Sequence, residues 1–369
     1  MQEQARAVAG FHRVTVLCCE PRFSRGPLWE TVSDREEQGI RVIRLDLRRI
    51  PVRGWTFFLY LWGLKENFRR LLRFGLRPDI IHAHEYGAGA GAVFLGKEHG
   101  IPVVISEHSS VFLRGRLSRR DLLKARFAFG RADAVLPVGA ELETALRALG
   151  VATRLEAVPN TIDTRVFRPG PGWTAAPGGR KKILLPALLR EGKGIPGLFR
   201  ALAELRNRRR DFVLEIAGDG PKREEYRRLA ETLGLAKAVK FSGMKNREEL
   251  AGLMREAVFI VQPSIVETFG MTVIEALASG KPVVAMRIPA FERTITQRQG
   301  ILVPPGDTAA LAAALDHMLD RAGDYRPELL ARYTEENFGY RAVGERLNAV
   351  YASVRSGRPG RISGFTAPG

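Results

Sequence analysis

The chain has 369 residues, 45% hydrophobic and 27% charged, with a net charge of +18. That length suits two domains of ordinary size, each able to bury a core. No run approaches the about 18–20 apolar residues of a membrane span, and the start lacks a charged-then-apolar signal pattern.

In chain order, strand-like runs alternate with helical patterns. "HRVTVLCC" (12–19), "IRVIRLDL" (40–47), "DIIHAH" (79–84), "IPVVISEH" (101–108) and "DAVLPVG" (133–139) read as short buried strands, with helical stretches such as "LKENFRRLLRFG" and "ELETALRALG" between some of them. The two cysteines, Cys18 and Cys19, are adjacent in the first of these runs and read as core thiols of a reducing compartment. "RPGPGWTAAPGGR" (168–180) has no period and reads as a linker. Beyond it the rhythm returns with "KKILLPA", "FVLEIAGDG", "AVKFSG", "VFIVQPS", "PVVAMR" and "GILVP". Such alternation predicts an α/β chain with parallel sheets covered on both faces, in two Rossmann-like domains. The predicted boundaries are 1–167 for the first domain, 168–180 for the linker and 181–325 for the second domain. A helical segment at 326–354 and a disordered tail at 355–369 complete the chain.

The stretch "QPSIVETFGMTVIEALASGKPVV" (262–284) is the richest in chemistry. A strand runs into Pro263-Ser264, a loop carries Glu267, and a helix opening near Gly270 carries Glu275. Free amides at a helix start attract phosphate, whereas two glutamates repel it unless they face other parts of the ligand. A sugar nucleotide satisfies both: its diphosphate sits on the helix start and its hydroxyls donate to the carboxylates.

That stretch resembles the donor-binding motif of retaining glycosyltransferases of the GT-B fold, family 4. "DIIHAH", "ISEHSS", "ADAVLPVG", "AVPNTIDTRVFRP", "EGKG", "AGDGP", "VKFSG" and "GILVPPGD" match the family in the right order, over roughly residues 12–354. The resemblance implies transfer of a sugar from a UDP- or GDP-sugar, a co-substrate and not a cofactor, to a glycan or lipid-linked acceptor. It further implies that Glu275 holds the ribose, that Glu267 bonds the transferred sugar, and that Lys193 meets the diphosphate, with Arg190 assisting. Amides at Phe269, Gly270 and Met271 meet the phosphates and sugar, with Thr272 in the same helix turn. Gly218 and the "VKFSG" residues Phe241 and Gly243 border the base. His108 faces the donor sugar, and His84 belongs to the acceptor side or the cleft. His82 reads as core, and Asp307 as a helix N-cap.

The sequence departs from the family pattern twice. Leu188 stands where an arginine precedes the lysine of "EGKG", and the first strand with its Gly-Gly loop has no counterpart before "HRVTVLCC". "MQEQARAVAGFH" then reads as the end of the following helix, and a start upstream of the given one is the favoured explanation. No D-x-D pair follows a strand, and neither a P-loop nor zinc spacing is present, so no catalytic metal is expected.

Residues 41–77 hold ten basic residues against Asp46 and Glu66, around the aromatic run "GWTFFLYLWGL". Aromatics flanked by arginine suit a membrane interface, which predicts docking on an anionic cytoplasmic membrane face. Nucleic acid is excluded as a partner for want of any binding motif. Two rivals stand beside the transferase: a sugar-nucleotide epimerase, which turns over donor without acceptor, and a non-catalytic partner protein, which binds nucleotide weakly.

Overall fold

The structure is a computed structural model that describes residues 2–22, 29–48, 55–170 and 179–357. The chain divides into two compact units, Met1–Pro159 with the helix from Val343 onward, and Asn160–Ala342.

In the first unit a short helix, α1 (Gln2–Ala9), precedes β1 (Thr15–Arg22), β2 (Trp29–Glu37) and β3 (Ile40–Arg48). Next come α2 (Trp55–Arg73), β4 (Ile81–His84), α3 (Glu85–His99), β5 (Val103–Glu107), α4 (Arg119–Phe129), β6 (Ala134–Pro137) and α5 (Ala140–Ala148). The strands form two sheets of three, ordered β1-β3-β2 and β4-β5-β6. The second is wholly parallel, whereas β2 runs antiparallel to β3. Sequence reading missed β2, and its composition shows why: "WETVSDREE" has no apolar alternation. It is an edge strand paired along its backbone with β3, and two surface ion pairs cross between them, Arg41 donating to Asp34 at 2.7 and 2.9 Å and Arg44 reaching Glu37. The Arg41 guanidinium holds the Asp34 carboxyl below its ordinary range.

The second unit holds β7 (Lys181–Pro186), α6 (Ile195–Arg206), β8 (Phe212–Ala217), α7 (Arg223–Thr232), β9 (Val239–Gly243) and α8 (Arg247–Glu256). It continues with β10 (Phe259–Gln262), α9 (Met271–Ala278), β11 (Val283–Met286), α10 (Pro289–Glu292), β12 (Gly300–Val303), α11 (Thr308–Arg321) and α12 (Pro327–Phe338). Its six strands are parallel, in the order β12-β11-β10-β7-β8-β9. Each of the six strand-like runs read after residue 180 is one of them. Strands β8, β10 and β11 are buried throughout, as strands covered by helices on both faces must be. Asp307 caps α11 through its bond from the Ala310 amide, 2.8 Å.

Two predicted boundaries move. The division falls at Pro159, ahead of the 168–180 stretch, whose residues 171–178 lie outside the described residues. The C-terminal segment is split as well: α12 stays in the second unit, while α13 (Tyr340–Ser356) passes into the first at Val343. Val343, Leu347, Val350 and Tyr351 form one apolar stripe, and a stripe of that kind needs a cover. It finds Val104, Ala134 and Leu136 of β5 and β6, together with Val8 of α1. Most of the predicted tail, 358–369, lies outside the described residues.

Candidate functional site

In the second unit the chain runs β7 to β8 to β9 in one direction and then returns to place β10 on the other side of β7. The carboxyl ends of β7 and β10 therefore flank the switch point, where open parallel sheets bind ligands. Two loops leave there, 187–194 after β7 and 263–270 after β10. They carry Lys193 and Glu267, whose Nζ and Oε1 lie 2.5 Å apart. Both side chains are largely shielded from solvent.

Glycine sets how closely these loops approach. Gly194 has φ of 67°, and a Cβ there would sit 1.8 Å from the Pro263 carbonyl oxygen. The Ile265 amide also donates to the Gly192 carbonyl at 3.3 Å, joining the two loops. Gly270 is the N-cap of α9, with φ of 89°, and a Cβ there would lie 2.5 Å from the buried ring of Phe291. No side chain caps this helix, so its first amides and the positive end of its dipole are offered to the loop. The start of α9 is pinned from below: Gln262, buried at the end of β10, donates its amide to the Thr272 hydroxyl. Ser264, fully buried, donates to the Gln262 carbonyl oxygen at 3.4 Å.

The structure sorts the sequence-predicted residues. Lys193 and Glu267 meet directly, and Gly270, Met271 and Thr272 form the start of α9. Glu275 lies half-buried in that helix's second turn. The half-buried Phe269 ring packs edge-on against the buried Phe338, with centroids 5.6 Å apart. Gly218 and Gly243 are bridged at the ends of β8 and β9, and Phe241 lies two residues before Gly243 on the latter strand. Arg190 is not drawn in: its side chain is exposed and makes no ion pair among the described residues, and its carbonyl accepts from the Tyr226 hydroxyl at 3.1 Å. Leu188, where the family pattern has arginine, is exposed. Gln262, Ser264 and Phe291 were missed; the polar Gln-x-Ser ending an apolar strand was the available signal.

In the first unit β4 and β5 bring three imidazoles into a stack. His82 lies on His84 with centroids 4.8 Å apart, and His84 lies on His108 at 5.3 Å. His84 Nδ1 is 3.1 Å from His108 Nε2, so one of the two donates to the other. His82 is engaged on both nitrogens, with the Tyr351 hydroxyl at 2.6 Å and the Ser106 hydroxyl at 2.9 Å, as befits its reading as core. Burial, reinforced by neighbouring imidazoles, pushes His82 down to about 3 and His84 well below the ordinary histidine value. Both are therefore neutral at pH 7.

Comparison with known proteins agrees with this geometry. The family described as "Glycosyl transferases group 1" matches residues 173–337, and the "Glycosyl transferase 4-like domain" matches residues 1–161. A glycogen synthase of Mycobacterium tuberculosis (strain CDC 1551 / Oshkosh) is 27% identical over 376 residues, covering 96% of this chain and 89% of its own. The sucrose-phosphate synthase of Thermosynechococcus elongatus superposes with a TM-score of 0.79 at 23% identity, over 96% of this chain and 92% of that one. Anabaena Alr3699/HepE, solved in complex with UDP, gives 0.69 at 19% identity, over 85% and 86%. With both units matched by family patterns and the donor-side loops assembled at the sheet's switch point, the chain belongs to the family 4 glycosyltransferases of the GT-B fold and is a nucleotide-sugar-dependent transferase.

Proposed function

We propose that this glycosyltransferase moves a sugar from a UDP- or GDP-sugar to a glycan or lipid-linked acceptor, with retention at the anomeric carbon and without a protein-held metal. The carrying observation is the Lys193–Glu267 pair at the β7/β10 switch point, beside the open start of α9. Without donor the two charges neutralise each other. The incoming diphosphate takes Lys193, and the released Glu267 accepts from hydroxyls of the transferred sugar. Glu275 holds the ribose, and the ends of β8 and β9 at Gly218, Phe241 and Gly243 border the base.

As the glycosidic bond breaks, negative charge grows on the leaving diphosphate and positive charge on the anomeric carbon. Lys193 and the amides of Phe269, Gly270 and Met271 stabilise the former in place before the reaction. The acceptor hydroxyl attacks the face the diphosphate leaves, and its proton passes to a phosphate oxygen of the leaving group. No side chain is assigned as nucleophile. His108 serves the donor sugar and His84 the acceptor. Arg190 reaches the diphosphate only by changing rotamer.

The test is a panel of UDP-, GDP- and ADP-sugars scored for nucleotide release with and without acceptor, in buffer with and without chelator. Release that needs acceptor, survives chelation and yields the retained anomer is expected. A new nucleotide sugar formed without acceptor marks the epimerase, and absence of turnover across the panel marks the non-catalytic protein.

The acceptor is reached at an anionic membrane face, in a cytoplasmic protein of envelope or exopolysaccharide synthesis. Among the described residues no helix is long and apolar enough to cross a membrane. Helix α2 instead exposes Phe58 (64%) and Trp62 (42%). Lys65 of α2 lies over the Phe94 ring of α3, and Lys124 of α4 over Phe57 of α2, so the three helices share this basic, aromatic face. Residues 49–54 of the basic stretch lie outside the described residues. Each basic side chain near an anionic leaflet contributes about 1 kcal/mol. Sedimentation with anionic vesicles but not neutral ones is expected, and equal binding to both overturns the docking.

A further inference from the structure

We propose that Glu107 is a positioning residue of the histidine pair: its buried carboxylate ties the turn from β4 into α3 to the loop after β5, and so holds His84 against His108. This inference rests on the transferase reading above.

Glu107 ends β5 and is fully buried. Its Oε2 accepts from the Tyr86 amide at 2.9 Å, and its Oε1 accepts from the amides of His108 at 2.9 Å and Ser109 at 2.8 Å. One carboxylate therefore collects three main-chain donors, one from the start of α3 and two from the loop after β5. Each place carries one member of the pair: His84 lies two residues before Tyr86, at the end of β4, and His108 is itself a donor.

The turn it holds is strained. Strand β4 ends at His84 and α3 begins at the next residue, Glu85, whose φ is 67°. A non-glycine residue in that region is strained and persists only where its surroundings impose it. His84 occupies the N-cap of α3 but makes no side-chain cap bond. Glu107 supplies the cap from the neighbouring strand, through the amide immediately after the strained residue. Loss of that bond lets the turn relax, and His84 moves with it.

Burial raises the Glu107 carboxyl to about 7, outweighing the three amide donors that lower it. Around it stand Glu85 and Tyr86 on α3, His84 on β4 and His108 on its own loop, while β6 places Pro137 opposite. Asp121 of α4 acts on the Tyr86 hydroxyl. The ionised form is the one that accepts all three amides, so turnover falls with protonation near neutral pH.

The experiment compares the full chain with Glu107→Gln and Glu107→Asp. It measures kcat and KM for the nucleotide sugar from pH 5.5 to 8.5, thermal unfolding, and the imidazole titration of His84 by NMR. Glutamine presents an NH₂ group to the Tyr86 amide, donor against donor, and aspartate is one methylene too short. In both variants kcat falls at least tenfold while donor KM stays within about twofold, and the His84 titration moves up toward 6.5. In Glu107→Gln the inflection of the rate profile near pH 7 also disappears. Turnover within twofold of the parent with an unmoved His84 titration overturns the proposal, as does loss of cooperative unfolding in both variants, which assigns Glu107 to folding alone. A parent chain that turns over no nucleotide sugar strikes the transferase reading instead, and the His84 titration then judges Glu107 by itself.

Discussion

Lys193 and Glu267 show how a residue acquires a role from its place. Either side chain alone reads as an ordinary surface charge; at the ends of β7 and β10 they are 2.5 Å apart and mostly shielded. The separate roles proposed for Lys193 and Glu275 are measurable. Lys193→Ala removes the ammonium that meets charge on the leaving group, so kcat falls about 10²-fold, on the order of 3 kcal/mol, with donor KM changed only a few-fold. Glu275→Ala removes a ground-state contact and raises KM about tenfold with a smaller loss in kcat. Steady-state kinetics on the two variants checks both, and wild-type values for both refute the assignments. Lys193 and Glu275 were legible in the sequence as candidate donor contacts, through the stretches "EGKG" and "ETFGMTVIE" that carry the family resemblance. Gln262, Ser264 and Phe291 were not, because their work is to brace the start of α9, and a brace is visible only once its load is in place.

At the scale of elements, the second sheet was legible throughout. Strands buried on both faces are written as continuous apolar runs, and each run stands between turn residues. Strand β2 was illegible because its sequence lacks the apolar alternation that marks a strand, while its described side chains Asp34 and Glu37 pair with Arg41 and Arg44 of β3. The approach of the two loops at the switch point was also hidden: "EGKG" announces a turn but not its neighbour. Gly194→Ala places a methyl against the Pro263 carbonyl at a backbone angle that disfavours any side chain. It should cost about 3 kcal/mol by urea unfolding and lower turnover together with stability. A variant of unchanged stability shows that the loops part without cost.

For the whole molecule, acid sensitivity follows from opposing titrations in the first unit. His82 is depressed from 6.5 to about 3, and His84 is depressed in the same direction, so the stability they contribute is complete above pH 6.5 and is lost as pH falls below it. Glu107 is raised from 4.5 to about 7, so its contribution is complete below 4.5 and is lost as pH rises through 7. Two histidines against one glutamate leave stability rising toward neutral pH between the ordinary carboxylate and histidine values. Urea titrations at several pH values measure it, and His82→Gln should flatten the slope. A profile that rises toward acid contradicts the burial of the two imidazoles.

The sequence by itself determined the α/β class, the six strands of the second unit and the family. Local pattern suffices there, because apolar runs, turn residues and a helix start all act over a few positions. Only the tertiary structure decided that the first unit's strands divide into two sheets of three, that α13 passes from one unit to the other, and that Lys193 reaches Glu267. It alone showed that Glu107 caps a helix on another strand's behalf. Each of these depends on which distant segments share a core or a hydrogen bond, and chain order does not state that.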